Sequence, residues 1–177
     1  MNNFEDKEKG GFFFTSDQHE QLFYRPKSIS DDSIPSGLVY ATDTLLYMGF
    51  ISGNQKYIEA AHGALDFIYK SIDDNLTSSV SAINLLREDN LEKEIIIVRT
   101  NKKTWEKITD SEEYYGRCII FIENELQNLP DYIAYKESKG EFTSYHCKGM
   151  TCQTPRLSFE DFILSLIHIS EPTRRSM

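Results

Sequence analysis

The most concentrated set of reactive side chains is a polar turn in the first part of the chain. Asp17, His19 and Glu20 all fall in the segment Asp-Gln-His-Glu. A histidine beside carboxylates can have a raised pKa, and such a group can give and take protons during catalysis. The same residues would serve equally well as solvated charges on a turn. We predict these three as catalytic candidates, with the solvated turn as the alternative.

A second polar group follows this turn and comprises Arg25, Lys27, Asp31, Asp32 and Ser36. The last three stand where a helical pattern begins, and the backbone N–H groups of a helix start can hold polar ligand atoms. Two adjacent carboxylates favour a hydroxyl-rich or cationic ligand over an anion. Helix capping uses the same residue types, because aspartate and serine satisfy the first N–H groups and favour the helix dipole. We predict these five as ligand-binding candidates, with capping as the alternative.

The cysteines form the third chemical pattern. Cys147 and Cys152 are separated by four residues and follow His146. A tetrahedral zinc site needs four ligands, and only Cys118 and distant histidines remain to complete one. Redox pairing is compatible with the spacing, although the two-residue gap of thiol oxidoreductases is missing. We therefore expect two reduced thiols, no metal and no cofactor.

Helical patterns follow the second polar group and must position it. Apolar residues recur at helical spacing from Pro35, with Ser33 as a cap, to a glycine stop at Gly53. A second apolar stripe runs from Tyr57 to Ile72. The link between the two helices is short, so we expect them to pack as an antiparallel hairpin. A third helix is predicted over 77–88.

The second half of the chain changes to β-type patterns. β-branched and aromatic runs bounded by charged or turn residues favour strands. We predict a helix over 102–113, and strands over 12–15, 20–25, 95–98, 118–122, 132–135 and 142–147.

Composition narrows the function classes. The chain has 177 residues with 28 acidic against 19 basic ones, and no long basic cluster, which argues against nucleic-acid binding. No apolar run reaches the roughly 20 residues of a membrane span, and the start has no apolar segment of a secretory signal. Three cysteines without a signal indicate a reducing compartment, so we expect a cytoplasmic protein.

We predict three regions along the chain. Residues 1–11 are polar, end in Gly-Gly and are expected to form a flexible lead-in. Residues 12–162 form the folded part. Residues 163–177 are predicted to be a non-native tail, because the string from Leu164 onward resembles a translated adaptor found on unrelated sequences. A genuine terminal helix is the alternative.

Several segments together resemble one family, the thioredoxin-domain-containing proteins of the spermatogenesis-associated type. The resemblance runs from Gly10 to Phe162 and is carried by Gly10–Glu20, Arg25–Lys27, Asp31–Gly37, Gly49–Ala61 and Tyr145–Pro155. Such proteins join an N-terminal thioredoxin-like domain to an (α/α) toroid related to N-acylglucosamine 2-epimerases and six-hairpin glycosidases. The family usually has Asn where this chain has Leu38, which removes one polar group from the toroid rim.

The resemblance implies a fold and two classes of function. The fold would be mainly α with short β segments: an incomplete (α/α) toroid with a helical hairpin and a small β-containing C-terminal part. The chain would be the C-terminal fragment of a longer protein and would pair with the missing N-terminal part, including the thioredoxin-like domain. It would either process a carbohydrate ligand, by fold-level analogy, or act as a non-catalytic binding or scaffold module linked to thiol redox chemistry. Membrane and nucleic-acid partners are not expected.

Overall fold

The structure is a computed structural model that divides the chain into two compact units. It describes residues 3–20, 23–72, 76–90, 94–109, 117–149 and 151–169, with only the backbone of 90 and 167–169. The first unit comprises Met1–Leu91 together with Pro130–Tyr132, and the second comprises Glu92–Leu129 together with Ile133–Met177. In the part of the chain that is described, no helix is both long and apolar enough to cross a membrane.

The described part of the first unit is built mainly by three helices: α1 (Gly37–Ser52), α2 (Gln55–Ser71) and α3 (Val80–Asn90), the last preceded by a 3-10 turn (Leu76–Ser78). Helix α1 begins two residues later than predicted, because Ser36 rather than Ser33 caps it. It ends at Gly53, whose φ of 67° suits the left-handed helix stop that glycine favours. Asn54 caps α2, since its side chain accepts a hydrogen bond from the N–H of Lys56.

Helices α1 and α2 pack through the predicted apolar stripes. Leu38, Ala64, Leu65 and Ile68 are buried in one core, and Ala41 and Leu45 pack against it half-buried. A Cβ atom added at Gly49 would lie 2.6 Å from Ile58 Cγ1, so glycine permits this close helix approach. The predicted hairpin is confirmed, although Met48 of α1, one helical turn after Leu45, is 45% exposed.

A four-stranded mixed sheet forms the centre of the second unit. Its strands are β1 (Glu94–Thr100), β2 (Cys118–Glu123), β3 (Phe142–Lys148) and β4 (Thr151–Cys152), in the order β2-β1-β3-β4. Strand β1 runs parallel to β2 and antiparallel to β3. The strands predicted at 95–98, 118–122 and 142–147 are confirmed, because their apolar runs supply the residues that a central sheet buries.

Helices cover one face of this sheet. Helix α4 (Lys102–Thr109) follows β1, and α6 (Phe159–Ile169) follows β4. The buried core of this face contains Ile96, Val98, Ile108, Phe142, Phe162 and Leu166. Trp105 of α4 stacks on Phe121 of β2 with ring centroids 4.9 Å apart, which extends the core toward the edge strand.

The prediction of a mainly α, incomplete (α/α) toroid is wrong. The described residues contain six helices and the four-stranded sheet, which make a mixed α/β fold. The physical reason is that β1 and β3 are buried along almost their whole length. β-branched and aromatic residues in such positions make a sheet the core of a unit rather than an addition to a helical one.

Three local predictions also need correction. Residues 132–135, predicted as a strand, lie mostly in the short helix α5 (Asp131–Ala134). The segments 12–15 and 23–25 form no strand apart from an isolated bridge between Glu5 and Phe12. Tertiary contacts hold these segments in place, rather than the hydrogen bonds of paired strands. The predicted strand at 20–25 includes residues 21–22, which lie outside the described residues.

The two predicted chain ends contain ordered contacts. Within residues 3–11, the Asp6 carboxylate accepts hydrogen bonds from the N–H groups of Glu8 and Lys9, both at 3.0 Å. At the other end, α6 continues to Ile169, and Leu166 is only 1% exposed. The flexible lead-in and the non-native tail stay predictions, to be tested against these contacts.

Candidate functional site

The predicted catalytic turn lies open to solvent. Asp17, His19 and Glu20 are all exposed. The turn is formed by its backbone, because the N–H of His19 donates to the carbonyl of Ser16 at 3.3 Å. Among the described residues, no hydrogen bond or ion pair joins the three side chains to one another. The structure therefore presents the three groups on one turn without building a desolvated acid–base pair.

Arg25 connects this turn to other parts of the unit through hydrogen bonds. Its Nη2 donates to the carbonyl of Thr15 at 2.6 Å and to that of Asn3 at 2.9 Å. Its guanidinium also lies 4.1 Å from the centroid of the Phe13 ring, a cation–π distance. The ligand-binding role of Arg25 stays a prediction, and the contacts of its guanidinium hold the turn in place.

Lys27 has a similar structural role. Its Nζ donates to Asp6 Oδ2 at 2.7 Å and to the Gly10 carbonyl at 2.8 Å, and it lies 4.0 Å from the Phe67 ring centroid. Burial raises the pKa of Asp6, but the hydrogen bond from Lys27 and the backbone bonds outweigh it and hold that pKa below its ordinary value. Lys27 thus neutralises the carboxylate of Asp6.

Asp31 links the starts of two helices. Its carboxylate accepts a hydrogen bond from the Ser36 N–H at 3.0 Å, next to α1, and from the Ser81 N–H at 2.8 Å, in the first turn of α3. The Ser81 hydroxyl donates to the same carboxylate. Burial raises the pKa of Asp31, but these bonds outweigh burial and lower the pKa overall. The capping alternative therefore describes Asp31.

Ser36 and Asp32 complete the predicted ligand-binding group and differ from each other. Ser36 is 5% exposed, and its Oγ accepts from the Val39 N–H at 3.4 Å and donates to the Ser28 carbonyl at 2.7 Å. Asp32 is exposed. The structure thus brings Asp31 and Ser36 into contact with each other but shows no bond from either to Asp17, His19 or Glu20.

We expect Asp31→Ala to lower the free energy of unfolding by about 1–3 kcal/mol, because buried N–H groups at both helix starts would lose their acceptor. The contribution of Asp31 should persist above its ordinary pKa of 3.8 and disappear as the pH falls through its lowered folded-state value. Urea titration measures both effects. Asp32→Ala is the matched control and should change stability by less than about 0.5 kcal/mol. Equal losses in the two variants would contradict the linking role.

The expectation that Cys147 and Cys152 are reduced thiols is wrong. The structure joins their Sγ atoms in a disulfide with an S–S distance of 2.07 Å. The two residues face each other in the register of β3 and β4, so the hairpin itself brings the sulfurs together. Cys147 is 2% exposed and Cys152 is half-buried. The four-residue spacing that argued against an oxidoreductase motif is the spacing of this hairpin.

His146, which sequence reasoning treated only as a metal ligand, is a buried residue of β3. It is 6% exposed, and its Nε2 lies 3.5 Å from Ser165 Oγ of α6. Burial lowers the pKa of His146, the nearby charges of Arg156 and Arg117 lower it in the same direction, and together they bring it to about 4. The alternation of strand residues was the available signal, since His146 shares its face with buried Phe142.

We expect the buried His146 to make stability depend on pH. Its folded-state pKa of about 4 lies below the ordinary 6.5, so the unfolded chain binds the proton first as the pH falls. Stability should be full above about pH 6.5 and fall by up to about 1.4 kcal/mol per pH unit down to about pH 4. Urea unfolding of His146→Gln should lack this slope, whereas exposed His62→Gln should keep it. An unchanged slope in His146→Gln would contradict the prediction.

Comparison of the chain with protein families, with curated proteins and with solved structures finds no match. Within the described ranges, no three His, Cys, Asp or Glu side chains are grouped to hold a metal ion. The candidate chemistry therefore lies in individual side chains and in the disulfide. The structure offers an exposed acid–base turn, a disulfide hairpin and a buried histidine.

Proposed function

We propose that this chain is a non-catalytic module of a longer thioredoxin-domain-containing protein, and that it responds to thiol redox state through Cys147 and Cys152. The single observation that supports this is the disulfide across the β3–β4 hairpin. We further propose a cytoplasmic location for the module. Disulfides in that compartment are usually transient and catalytic or redox-sensing, which fits a module of this kind.

The unequal exposure of the two cysteines determines which of them a thiol would attack. Cys152 is half-buried and Cys147 is 2% exposed, so Cys152 is the more exposed partner and the one that an incoming thiolate would attack. The thiolate of a dithiol protein would bond to Cys152 Sγ while the S–S bond breaks and Cys147 leaves as a thiolate that takes up a proton. The second thiol of the reductant would then attack the mixed disulfide. The module gains two electrons and two protons, and the reductant ends as a disulfide.

Reduction would loosen the outer edge of the sheet. Strand β4 has only two residues, and the disulfide is a covalent bond within its short pairing with β3. Without that bond, the segment 151–156 would be held by its backbone hydrogen bonds and the isolated bridge between Ser144 and Arg156. The redox state of the module would therefore determine how well ordered this edge segment is.

The test is a thiol count on the full chain under native conditions. We expect one alkylatable cysteine, Cys118, after purification without reductant, and three after incubation with a reduced Cys-x-x-Cys oxidoreductase. In single variants, Cys152 of Cys147→Ser should react with maleimide much faster than Cys147 of Cys152→Ser. A Cys118→Ser background removes the third thiol. Three reactive thiols before reduction, or a disulfide that resists the oxidoreductase under native conditions, would overturn the proposal.

A carbohydrate-binding role is the second candidate, favoured by the aromatic residues around the predicted catalytic turn. Phe14 is 82% exposed and Tyr24 is 74% exposed, on either side of Asp17, His19 and Glu20 in the chain. Exposed aromatic faces with nearby carboxylates suit polyhydroxylated ligands, which combine apolar and hydrogen-bonding surfaces. Titration with neutral oligosaccharides should show binding that Tyr24→Ala and Asp17→Ala weaken and that exposed Tyr69→Ala leaves unchanged. Binding that all three variants retain would exclude this turn.

A further inference from the structure

Three polar residues of the second unit, Ser144, His146 and Arg156, lie on the same face of the sheet, near its β4 edge. Ser144 and His146 are two positions apart on β3 and therefore point to the same face. Arg156 pairs with Ser144 from the outer side, and the two exchange backbone hydrogen bonds of 2.9 and 3.0 Å. Residues opposed in this way also share a face. This face is the one that α6 covers, because His146 contacts the Phe162 ring edge-on at 5.8 Å.

Two of these residues hold buried donors without an acceptor. Ser144 is 0% exposed, and neither its Oγ nor Arg156 Nη1 has a hydrogen-bond partner within the residues that the structure describes. The other terminal nitrogen, Nη2, donates to Gln153 Oε1 at 3.1 Å. Among the described residues, no carboxylate lies within 4.0 Å of the Arg156 guanidinium. Arg156 is half-buried, but its Nη1 atom and the Ser144 hydroxyl are buried without partners, which is costly and points to a group that completes them.

His146 adds a third group to the same cluster. The Ser165 hydroxyl donates to the Phe162 carbonyl at 2.6 Å, so its oxygen is left to accept from His146 Nε2. The neutral ring then carries its proton on Nε2 and has a lone pair on Nδ1. Protonation at Nδ1 would turn this nitrogen into a donor as well. The cluster would then present donors from an arginine, a serine and a histidine.

We propose that Ser144, His146 and Arg156 form a binding site for a tetrahedral oxyanion, either inorganic phosphate or the phosphoryl group of a small metabolite. Arginine binds such groups through paired N–H donors and stays charged at every physiological pH. The anion would accept from Arg156 Nη1 and Ser144 Oγ and would neutralise the guanidinium. A buried water molecule would satisfy the hydroxyl but leave the charge of Arg156 without a counter-ion.

The edge segment that carries Arg156 gives a ligand access to the cluster. Thr151, Gln153, Thr154 and Leu157 are exposed in this segment, whereas the residues of β3 behind it are buried. Displacing the segment would open the site without disturbing the apolar core. The proposal is independent of the redox function, although the Cys147–Cys152 disulfide restrains the same segment.

Anion binding should be coupled to a proton. Burial and the charges of Arg156 and Arg117 keep His146 neutral near pH 7. An anion in contact with Nδ1 would favour the charged imidazolium, so the anion and the proton should bind cooperatively. The facing groups from α6 are the Ser165 hydroxyl and the Phe162 ring, and neither titrates. The affinity for an anion of fixed charge should therefore rise as the pH falls.

The experiment uses the full chain and sodium sulfate, whose charge is constant between pH 5.5 and 7.5, against sodium chloride of equal ionic strength. We expect saturable binding by calorimetry, with the His146 ring resonances shifting in step. Ser144→Ala and Arg156→Gln should each weaken binding at least about tenfold. Lys148→Gln, the matched loss of one positive charge at an exposed position of β3, should not. Affinity should be higher at pH 5.5 than at pH 7.5, and His146→Gln should remove that difference.

Each result of this experiment either supports or overturns the anion site. If Arg156→Gln does not fold, Ser144→Ala decides, because removing a buried hydroxyl without a partner leaves the packing in place. Absence of saturable sulfate binding, or equal affinity in wild type and Ser144→Ala, overturns the site. Titration with inorganic phosphate and with a phosphomonoester then distinguishes the two sources, since only the tighter one can be the ligand class.

Discussion

Replacing Leu166 by alanine is expected to destabilise the second unit by about 2–5 kcal/mol. Leu166 is 1% exposed and packs with Ile96, Val98 and Phe162 in the core under α6. The loss has two parts: the transfer free energy of the removed methyl groups and the cavity that they leave. Truncation after Ile163 should cost at least as much, because it also removes the Ser165 hydroxyl and the carbonyl that accepts from Arg117 at 2.8 Å. Urea unfolding of the full chain measures both changes.

The matched control is Leu164→Ala, which lies two residues before Leu166 and on the opposite side of α6. Leu164 is 54% exposed, so its loss should change stability by less than about 0.5 kcal/mol. The comparison also tests the predicted non-native tail. A truncated chain as stable as the full one would mean that residues 164–177 are dispensable, and the packing of Leu166 would then carry no stability.

A loss of about 2–5 kcal/mol is also expected for Leu65→Ala, in the helix hairpin of the first unit. Leu65 is 6% exposed and belongs to the core that α1 and α2 share with Leu85 of α3. The small neighbour Ala64 is 0% exposed and has no side chain long enough to fill the space. Most of the cavity should therefore persist.

Tyr69→Ala provides the exposed comparison in α2, one helical turn after Leu65. Tyr69 is 71% exposed, so it contributes little burial, and its removal should be close to neutral. Thermal and urea unfolding should rank Leu65→Ala far below Tyr69→Ala. If the two variants unfold together, α2 does not bury the face on which the hairpin was predicted.

The elements of this fold were largely predictable, whereas their assembly was not. A 3.6-residue period located α1 and α2, and β-branched runs located β1, β2 and β3. The error was to treat the strands as additions to a helical toroid. Strand pairing joins residues far apart in the chain, such as Ile95 with Cys118 and with Cys147, and no local pattern specifies such partners.

For the candidate site residues as well, the positions in the chain were predictable and the partners in the fold were not. Asp31 and Ser36 were correctly placed at a helix start, but the partner Ser81 lies 50 residues away and carries no signal in the sequence. Arg25 and Lys27 were read by charge alone, although their aromatic neighbours Phe13 and Phe67 explain their positions. The disulfide was missed because its geometry depends on a hairpin, and the hairpin depends on the sheet register.

Pro130–Tyr132 belongs to the first unit although it lies within the sequence of the second. Tyr132 contacts Phe50 of α1 edge-on, with ring centroids 5.6 Å apart. The backbone therefore passes between the units three times, and no single cut yields two whole pieces. A fragment ending at Leu91 would lose an aromatic contact, and the remainder would carry that ring without its partner. Protein engineers who want either unit alone would need to excise the inserted tripeptide and graft it, rather than divide the gene once.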